Sequence, residues 1–391
     1  MKLNYKRTFF VGLAFLSISA FWYMYDNIIP LMLKNTFHLK ETATGLLMAM
    51  DNVLALFMLP LFGMLSDKTD TRFGKRTPFI VVGTALAVIS MIFIPIADKI
   101  ANLPMFLIFL GIVLVAMGSY RSPTVALMPD ITQKPLRSKA NAIINLMGAI
   151  GGVYTLLIIM FLVKDEDKNS YFKVFLAVSA IMVIAVVILV ITIREKKLAA
   201  IIGIEENVPV DEIKKKKQDT SKKEFMGMPK NVRKSFLFIL ASIFLWFFAY
   251  NAVTTAYSRY AEVVWNLKAG GFANSLLVAT IAAIFSYIPI GIIACRIGRK
   301  KTIIGGILLM TGSYFCGALV MNYSSWVNVI FAFTGIGWAA INVNSYPMVV
   351  EMCKGSDVGK YTGIYYMFSM STQIITPIVS GALLEHVSYR T

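Results

Sequence analysis

Three charged residues stand inside stretches of the sequence that are otherwise apolar: Asp26, Asp51 and Arg121. A charge in hydrocarbon is costly, so such residues by default indicate a pathway for a proton, an ion or a polar ligand. A carboxyl group that takes up a proton can release a facing guanidinium to bond a ligand hydroxyl, which links proton binding to ligand binding. We therefore predict all three as coupling residues, with Asp26 and Asp51 as rival proton carriers.

Aromatic and amide side chains form a second set of candidates in the same apolar stretches. An aromatic ring can cover the apolar C–H face of a sugar ring, and side-chain amides can bond to its hydroxyl groups. The predicted substrate-binding residues are Trp22, Tyr25, Asn27, Trp246, Tyr250, Asn251, Trp338, Asn342 and Asn344. Two further tryptophans, Trp265 and Trp326, fit anchors at the lipid interface better.

Residues for other chemistries are scattered rather than clustered. The three cysteines, Cys295, Cys316 and Cys353, show no paired spacing, so the sequence supports neither a disulfide framework nor a zinc site. The two histidines, His38 and His386, lie far apart, and nothing resembles a phosphate-binding loop or a Ser-His-Asp arrangement. We predict no metal site, no cofactor and no enzymatic activity.

The elements that must position the candidates are membrane-spanning helices. Of the 391 residues, 57% are hydrophobic and only 15% are charged, whereas soluble domains average about 25% charged residues. A bilayer core needs about 20 apolar residues per helix. Eleven stretches of that kind occur, near residues 9–33, 43–65, 78–97, 104–128, 141–163, 171–193, 235–258, 271–294, 302–321, 325–350 and 361–384. The sequence predicts an all-α polytopic membrane protein.

The basic residues predict the orientation of these spans. With the N-terminus in the cytoplasm, 28 of the 38 Lys and Arg residues fall on the inner side, as the excess of positive charge in cytoplasmic loops requires. The net charge of +17 therefore indicates topology, and we expect the lipid bilayer rather than a nucleic acid as its counterpart. We predict a multi-pass protein of the cell membrane, present as a monomer.

An internal repeat runs through the chain at a constant offset of 224 residues. One offset shared by several helices indicates that the chain contains two related halves. The matched pairs are Trp22 with Trp246, Asn27 with Asn251, Arg72 with Arg296, Gly74 with Gly298, Gly111 with Gly335 and Pro123 with Pro347.

The repeat predicts a division into three parts. A six-helix bundle covers residues 1–194, a basic linker covers residues 195–234, and a second bundle with five helices present covers residues 235–391. The copy of the sixth helix would begin near residue 395, so a twelfth helix is expected to be missing from the sequence given. A protein that has eleven spans by nature is the alternative.

A loop motif after the second stretch carries a family resemblance. Residues 63–79 read GMLSDKTDTRFGKRTPF, with Gly63, Asp67, Arg72, Gly74 and Arg76 at its marked positions. This segment resembles the conserved cytoplasmic loop of the major facilitator superfamily. Its longer form, together with the YRSP segment at 120–123, is similar to the glycoside–pentoside–hexuronide symporters and their sucrose-transporter relatives. The resemblance implies two six-helix bundles, a cavity lined by helices 1, 4, 7 and 10, and cation-coupled uptake of a sugar or glycoside. Asp26 and Arg121 fall on two of those helices, so it also implies that this pair faces across the cavity.

The loop motif has a physical reading of its own as a gating element. Asp67 can pair with Arg72 or Arg76 and can accept hydrogen bonds from a neighbouring helix N-terminus, which would latch helix ends in one state.

The coupling ion is predicted to be a proton, with sodium as the alternative. The melibiose-permease branch of the resembled group carries two Asp one turn apart on its second helix for sodium. Leu59 and Ala55 stand at the corresponding places here.

Together these features predict a proton-coupled symporter for a di- or oligosaccharide or a glycoside, working by alternating access. An exporter or exchanger of drugs or other small solutes is the alternative within transport. A membrane receptor that kept the fold without transporting is the alternative outside it.

Overall fold

The computed structural model of the chain describes residues 4–132, 137–164, 169–198, 230–267, 270–350 and 358–389. In these ranges the chain is almost entirely helical, and eleven helices are long and apolar enough to cross a membrane. The predicted all-helical polytopic fold with eleven spans is therefore confirmed.

Apart from the long segment between the sixth and seventh helices, the helices follow one another with short connections. They are α1 (Tyr5–Asn35), α2 (Glu41–Lys68), α3 (Thr77–Lys99), α4 (Leu103–Asp130), α5 (Arg137–Leu162), α6 (Ser170–Thr192), α7 (Lys230–Val263), α8 (Phe272–Ile297), α9 (Arg299–Leu319), α10 (Val327–Val350) and α11 (Val358–His386). Most ends lie within a few residues of the predicted ones. The exception is α7, in which segments with polar and charged residues continue the helix beyond its apolar core at both ends.

Side-chain caps start two of these helices at defined residues. Asn4 Oδ1 accepts a hydrogen bond from the backbone N–H of Arg7 at 3.0 Å at the start of α1. Asn102 Oδ1 does the same for Met105 at 3.0 Å at the start of α4. Such caps satisfy backbone donors that have no partner in the first turn of a helix.

The helices pack as two sets, α1–α6 and α7–α11. In the first set α1 packs against α5 and α6, and α3 packs against α4 and α6. In the second set α10 packs against α8 and α9, and α7 packs against α11. The sets meet where α2 contacts α11, where α5 contacts α8 and where α1 contacts α7. The repeat offset relates α2 to α8 and α5 to α11, so the first two of these contacts are equivalent. The predicted domain limits stay a prediction, since residues 199–229 of the linker lie outside the described residues.

Glycines bring the backbones of α2 and α11 together. A Cβ atom added to Gly45 would lie 2.1 Å from the carbonyl oxygen of Pro377. One added to Gly381 would lie 2.4 Å from the carbonyl oxygen of Glu41. In hydrocarbon, helices associate mainly by close packing, which small residues allow. The contact between α2 and α11 is therefore one of the tightest joints between the two sets.

The outer face of the second set differs from that of the first. Whereas α6 covers α1 and α3, a cavity of about 270 Å³ lies beside α7 and α9, their counterparts by the repeat. Its walls include Phe248, Tyr257, Tyr314 and Leu383. None of the predicted site residues lines it, and a counterpart of α6 is not among the described residues.

The structure corrects the prediction for Trp265. Its side chain is 7% exposed and its indole N–H donates to the carbonyl oxygen of Val320 at 3.0 Å. Rings of Tyr257, Tyr260 and Tyr323 surround it. Trp265 is therefore a packing residue, and its role as a lipid anchor is wrong. Trp326, 77% exposed, keeps the surface position that the prediction requires.

The loop motif is held together by Arg76, which is 4% exposed. Its Nε donates to Asp130 Oδ2 at 2.9 Å, and its other nitrogens donate to Asp67, to Ser66 and to the carbonyl oxygen of Gly63. Of the two partners expected for Asp67, Arg76 is the one that the structure shows. The guanidinium joins α2, the start of α3 and the end of α4.

The side chain of Arg72 points elsewhere in this loop. Its guanidinium lies over the ring of Phe73, 4.8 Å from the centroid. Arg72 thus contributes a cation–π contact at the surface of the loop.

A buried carboxylate, Glu195, fixes the start of α3. The Glu195 carboxylate accepts hydrogen bonds of 2.7–3.1 Å from the backbone N–H groups of Lys75, Arg76 and Thr77 and from the Thr77 hydroxyl. Gly74 precedes this cluster with φ 119°, and a Cβ atom there would lie 2.3 Å from Glu195 Oε2. Only glycine fits, both for its backbone angle and for its lack of a side chain. The segment after α6 is thereby tied to the loop motif.

Loss of the Glu195 carboxylate is expected to destabilise the first set of helices. Glu195→Ala leaves the buried donors at the start of α3 without a partner, which costs about 1–3 kcal/mol. We expect a lower melting temperature of the purified protein in detergent and a smaller loss in Glu195→Gln, which keeps an acceptor oxygen.

The neighbouring Lys196 offers a matched control. Lys196 bonds Asp70 at 2.7 Å, but the two side chains are 55% and 81% exposed, and such surface pairs contribute about 0–1 kcal/mol. Equal melting temperatures for Glu195→Ala and Lys196→Ala would contradict the role given to Glu195.

Candidate functional site

The three predicted coupling residues come together from α1, α2 and α4. The carboxylates of Asp26 and Asp51 are close enough to repel each other, and Arg121 attracts both. All three side chains are half-buried. The Arg121 guanidinium also lies 5.7 Å from the ring centroid of Trp22, one helical turn before Asp26. Residues up to 95 positions apart in sequence thus form one electrostatic unit with two acids and one base.

A polar neighbour links this unit to the second set of helices. Asn52, 9% exposed, donates from Nδ2 to Asp51 Oδ1 at 2.6 Å. The same nitrogen donates to the carbonyl oxygen of Gln373 on α11 at 3.4 Å.

Aromatic residues of α7 and α10 form a stacked pair in the second set. The rings of Tyr250 and Trp338 lie 3.7 Å apart and 6° from parallel. Phe247 supports them edge-on, 5.4 Å from Trp338. Asn251 directly follows Tyr250 on α7, and its Nδ2 donates to Thr372 Oγ1 on α11 at 3.2 Å. Tyr250 therefore packs against α10, whereas the adjacent amide of Asn251 bonds α11.

Other predicted substrate residues on α1 and α7 lie deeper. Tyr25, Asn27 and Trp246 are 1%, 5% and 9% exposed. Asn27 donates from its side-chain Nδ2 to the carbonyl oxygen of Tyr23 on the same helix. The Tyr25 hydroxyl and the Trp246 indole N–H make no hydrogen bond to the part of the chain that the structure describes. Buried donors of this kind are costly unless a ligand or water satisfies them.

The two asparagines of α10 are not brought together. Positions two apart on a helix point to different faces. Asn342 is exposed and lies beside Tyr287 of α8, whereas Asn344 is fully buried and donates to the carbonyl oxygen of Ala340 at 2.9 Å. In this conformation Asn342 alone has a surface to offer to a ligand.

A buried ion pair joins the two sets at the end of the bundle where α1 ends and α2 begins, which we call the closed end. Arg259 of α7 is 1% exposed and donates to Glu41 of α2, itself 8% exposed. Arg259 also donates to the carbonyl oxygen of Thr255 at 3.1 Å. The Tyr389 hydroxyl donates to the second oxygen of Glu41. Burial and the adjacent Glu41 carboxylate raise the pKa of Tyr389, which keeps this donor protonated.

Further polar contacts surround that ion pair. Asn35 Nδ2 donates to Glu262 Oε1 at 2.9 Å, and the backbone N–H of Thr42 donates to Glu385 Oε2 at 3.0 Å. Asn35 and Arg259 are matched by the repeat offset, and each bonds a carboxylate of the opposite set. The closed end is thus held by hydrogen bonds between the two sets, whereas the Arg76 cluster at the opposite end joins helices within one set.

Comparison with known proteins identifies the family to which this architecture belongs. The family model described as Major Facilitator Superfamily matches residues 11–286 and 265–391. The chain belongs to the Major Facilitator Superfamily.

Individual similarities to members of this superfamily are distant. A sucrose transport protein of Arabidopsis thaliana is 28% identical over 120 residues, which are 26% of this chain and 20% of that protein. An uncharacterised MFS-type transporter of Mycobacterium tuberculosis is 27% identical over 96 residues, 24% of this chain and 14% of its own length. The matched segments therefore span a fifth or less of the length of these curated relatives.

Solved structures show the same fold over nearly the whole chain. A bacterial homologue of the human lysosomal transporter Spinster, inward-facing and unoccupied, has a TM-score of 0.75 at 15% identity, covering 98% of this chain and 83% of that chain. A D-xylose–proton symporter has a TM-score of 0.66 at 15% identity, covering 96% and 88%. The protein accordingly has the multi-pass helical fold of this superfamily.

Sequence reasoning missed several residues of this superfamily member that the structure makes prominent. Asn52 carried a usable signal, since it is an amide in an apolar helix beside Asp51. Arg259 is also the one base that follows Lys234 in the apolar and aromatic part of α7. Glu41 carried none, because an acid in the first turn of a helix is ordinary. Among the described residues, no group of three or more His, Cys, Asp or Glu is suited to a metal ion.

Breaking the buried pair is expected to open the closed end. Arg259→Gln removes the buried cation that bonds Glu41, and breaking a buried ion pair from one side costs about 3–5 kcal/mol. A membrane-impermeant maleimide should then label a single cysteine introduced at Thr255 several-fold faster. Exchanging the charges, as Glu41→Arg with Arg259→Glu, should restore part of the protection.

Lys40→Gln is the matched control for this experiment. Lys40 pairs with Glu385 at 3.6 Å but is 82% exposed, and surface pairs contribute about 0–1 kcal/mol. If Arg259→Gln and Lys40→Gln label at the same rate, the buried pair does not hold the closed end.

Proposed function

We propose that this protein is a proton-coupled symporter for a neutral di- or oligosaccharide or glycoside. The observation that carries the proposal is the convergence of Asp26, Asp51 and Arg121 in one half-buried unit. Two acids and one base carry a net charge of −1 when all are ionised. Uptake of one proton makes the unit neutral, and a neutral sugar can then enter without bringing an uncompensated charge into the membrane.

The order of events in this proposal follows from the same three side chains. While Asp26 is ionised it attracts Arg121 and holds the guanidinium beside Trp22. Protonation of Asp26 weakens that attraction, and the donors of Arg121 become available to substrate hydroxyl groups. Substrate and proton therefore favour each other's binding, which is the thermodynamic requirement for symport. Asp51 remains the rival proton carrier.

The sugar class is supported by the second set of helices. The Tyr250–Trp338 stack supplies a flat face, and Asn251 supplies an amide on the same helix as Tyr250. The Tyr25 hydroxyl and the Trp246 indole N–H, which bond none of the described residues, are further donors. The similarity to a sucrose transport protein and the fold shared with a D-xylose–proton symporter support the same class.

Alternating access is supported by the uneven distribution of contacts between the two sets. If the N-terminus is cytoplasmic, as the basic residues predict, the closed end faces outward and this conformation opens inward. A related fold described as inward-facing is consistent with that assignment. We propose that the protein resides in the cell membrane as a monomer and exposes its site to each side in turn.

Sugar-driven proton uptake tests the proposal directly. In de-energised, weakly buffered cells, adding a transported sugar should make the medium more alkaline without any need for sodium. A panel of disaccharides and glycosides, added with and without sodium, identifies the substrate. Asp26→Asn should abolish the pH change. If Asp26→Asn keeps full coupled uptake, Asp51 is the proton carrier, and a response that requires sodium overturns proton coupling.

The stacked rings predict a graded loss of affinity. Trp338→Leu removes a ring contact worth about 0.5–1.5 kcal/mol, so the KM for the transported sugar should rise about twofold to thirteenfold. Trp326→Leu is the control, since Trp326 is 77% exposed and lies outside the site. An unchanged KM in Trp338→Leu would remove the stack from the substrate site.

A further inference from the structure

Pro377 leaves a backbone acceptor of α11 without its usual partner. In a helix the carbonyl oxygen of residue 373 accepts the N–H of residue 377, but proline has no N–H. Pro377 lies inside α11, so the carbonyl oxygen of Gln373 cannot make that bond. A freed carbonyl in a membrane helix must find another donor, and such sites are where helices bend.

The donor that reaches this carbonyl comes from the opposite set of helices. Asn52 Nδ2 lies 3.4 Å from the Gln373 oxygen and 2.6 Å from Asp51 Oδ1. One amide group therefore contacts both a coupling carboxylate and the break in α11. The side chain is 9% exposed, so water competes weakly for these bonds.

We propose that Asn52 is a positioning residue that transmits the charge state of Asp51 to the Pro377 break in α11. This inference rests on the proposed function, in which a carboxyl group of the site takes up a proton. An ionised Asp51 accepts from Asn52 in a short, charge-assisted bond and fixes the amide. A protonated Asp51 carries a donor of its own, so the amide shifts or turns to present its oxygen, and its bond to Gln373 changes.

The signal has a route onward from α11 to the substrate residues. Thr372, next to Gln373, accepts from Asn251 of α7 at 3.2 Å and donates to the carbonyl oxygen of Ser369 at 2.6 Å. A bend of α11 at this point moves Thr372 relative to Asn251. The coupling carboxylate of α2 is thereby connected to a substrate candidate of α7 through a single helix, α11.

Several charged or titratable groups face Asp51 from the helices around it. Tyr25 and Asp26 face it from α1 and Arg121 faces it from α4. On α11 the facing group is the uncharged carbonyl of Gln373. Proton uptake at Asp51 therefore changes the balance among Asp26, Asp51 and Arg121, and Asn52 is the described contact that carries this change to α11.

The test measures a distance rather than transport, so it does not depend on knowing the sugar. Spin labels at Met64→Cys on α2 and Met367→Cys on α11, with the native cysteines replaced by serine, report the separation of these helices in proteoliposomes. The wild-type distance distribution should shift between pH 5 and pH 9 without substrate. Asn52→Ala should remove most of that shift while elution volume and melting temperature stay near wild type.

Pro377→Ala provides a second variant that keeps the proposal testable if Asn52→Ala folds poorly. It restores a backbone N–H that competes for the Gln373 carbonyl, so the pH-dependent shift should shrink in this variant too. A shift that persists unchanged in both variants, or no shift in the wild type, would overturn the inference. Failure of any sugar to be transported would instead count against the proposed function and leave the distance result valid.

If a transported sugar is found, a second measurement distinguishes a coupling role of Asn52 from a merely structural one. Asn52→Ala should keep sugar exchange at equal pH within about twofold of the wild-type rate, while accumulation driven by a pH gradient falls at least tenfold. Equal loss of both activities would show a merely structural role and overturn the inference.

Discussion

A charge in hydrocarbon must have a partner. In the mechanism proposed for the protein, this constraint applies both to the ion pair at the closed end and to the coupling residues. At the closed end Glu41 and Arg259 satisfy each other across the two sets of helices, so that end can open only when water or another partner replaces the pair. In the middle, Asp26, Asp51 and Arg121 leave one negative charge over, which a proton can neutralise. Closure and coupling are therefore two solutions to the same electrostatic problem.

A single helix, α2, carries elements of both solutions. Glu41 begins it, and Asp51 and Asn52 follow about three turns later, on the helix that packs against α11. The glycine contacts keep the two backbones close, whereas Pro377 weakens α11 at the same joint. Tightly packed helix segments move as rigid units rather than deforming smoothly. A small change at a side chain in this interface is therefore taken up at Pro377, where α11 can bend.

The sequence predicted those parts of the structure that depend on local or repeated signals. The spans follow from long apolar runs, and the choice of three intramembrane charges as candidates follows from their cost in hydrocarbon. Contacts between distant positions were not predictable: Glu195 bonds residues about 120 positions earlier, and nothing in its own surroundings marks it as a cap. Trp265 was mispredicted because aromatic residues near helix ends serve both lipid anchoring and packing, and only the neighbouring rings decide between them.

The most direct test of the central claim is the charge that moves with the substrate. Proteoliposomes on a solid-supported membrane, at equal pH and without sodium on both sides, are exposed to a rapid jump in a transported sugar. Because a neutral sugar then enters with one proton, we predict a transient current of positive charge in the direction of sugar movement. Sugar uptake without such a current, or a current that appears only with sodium, would contradict proton symport through this site.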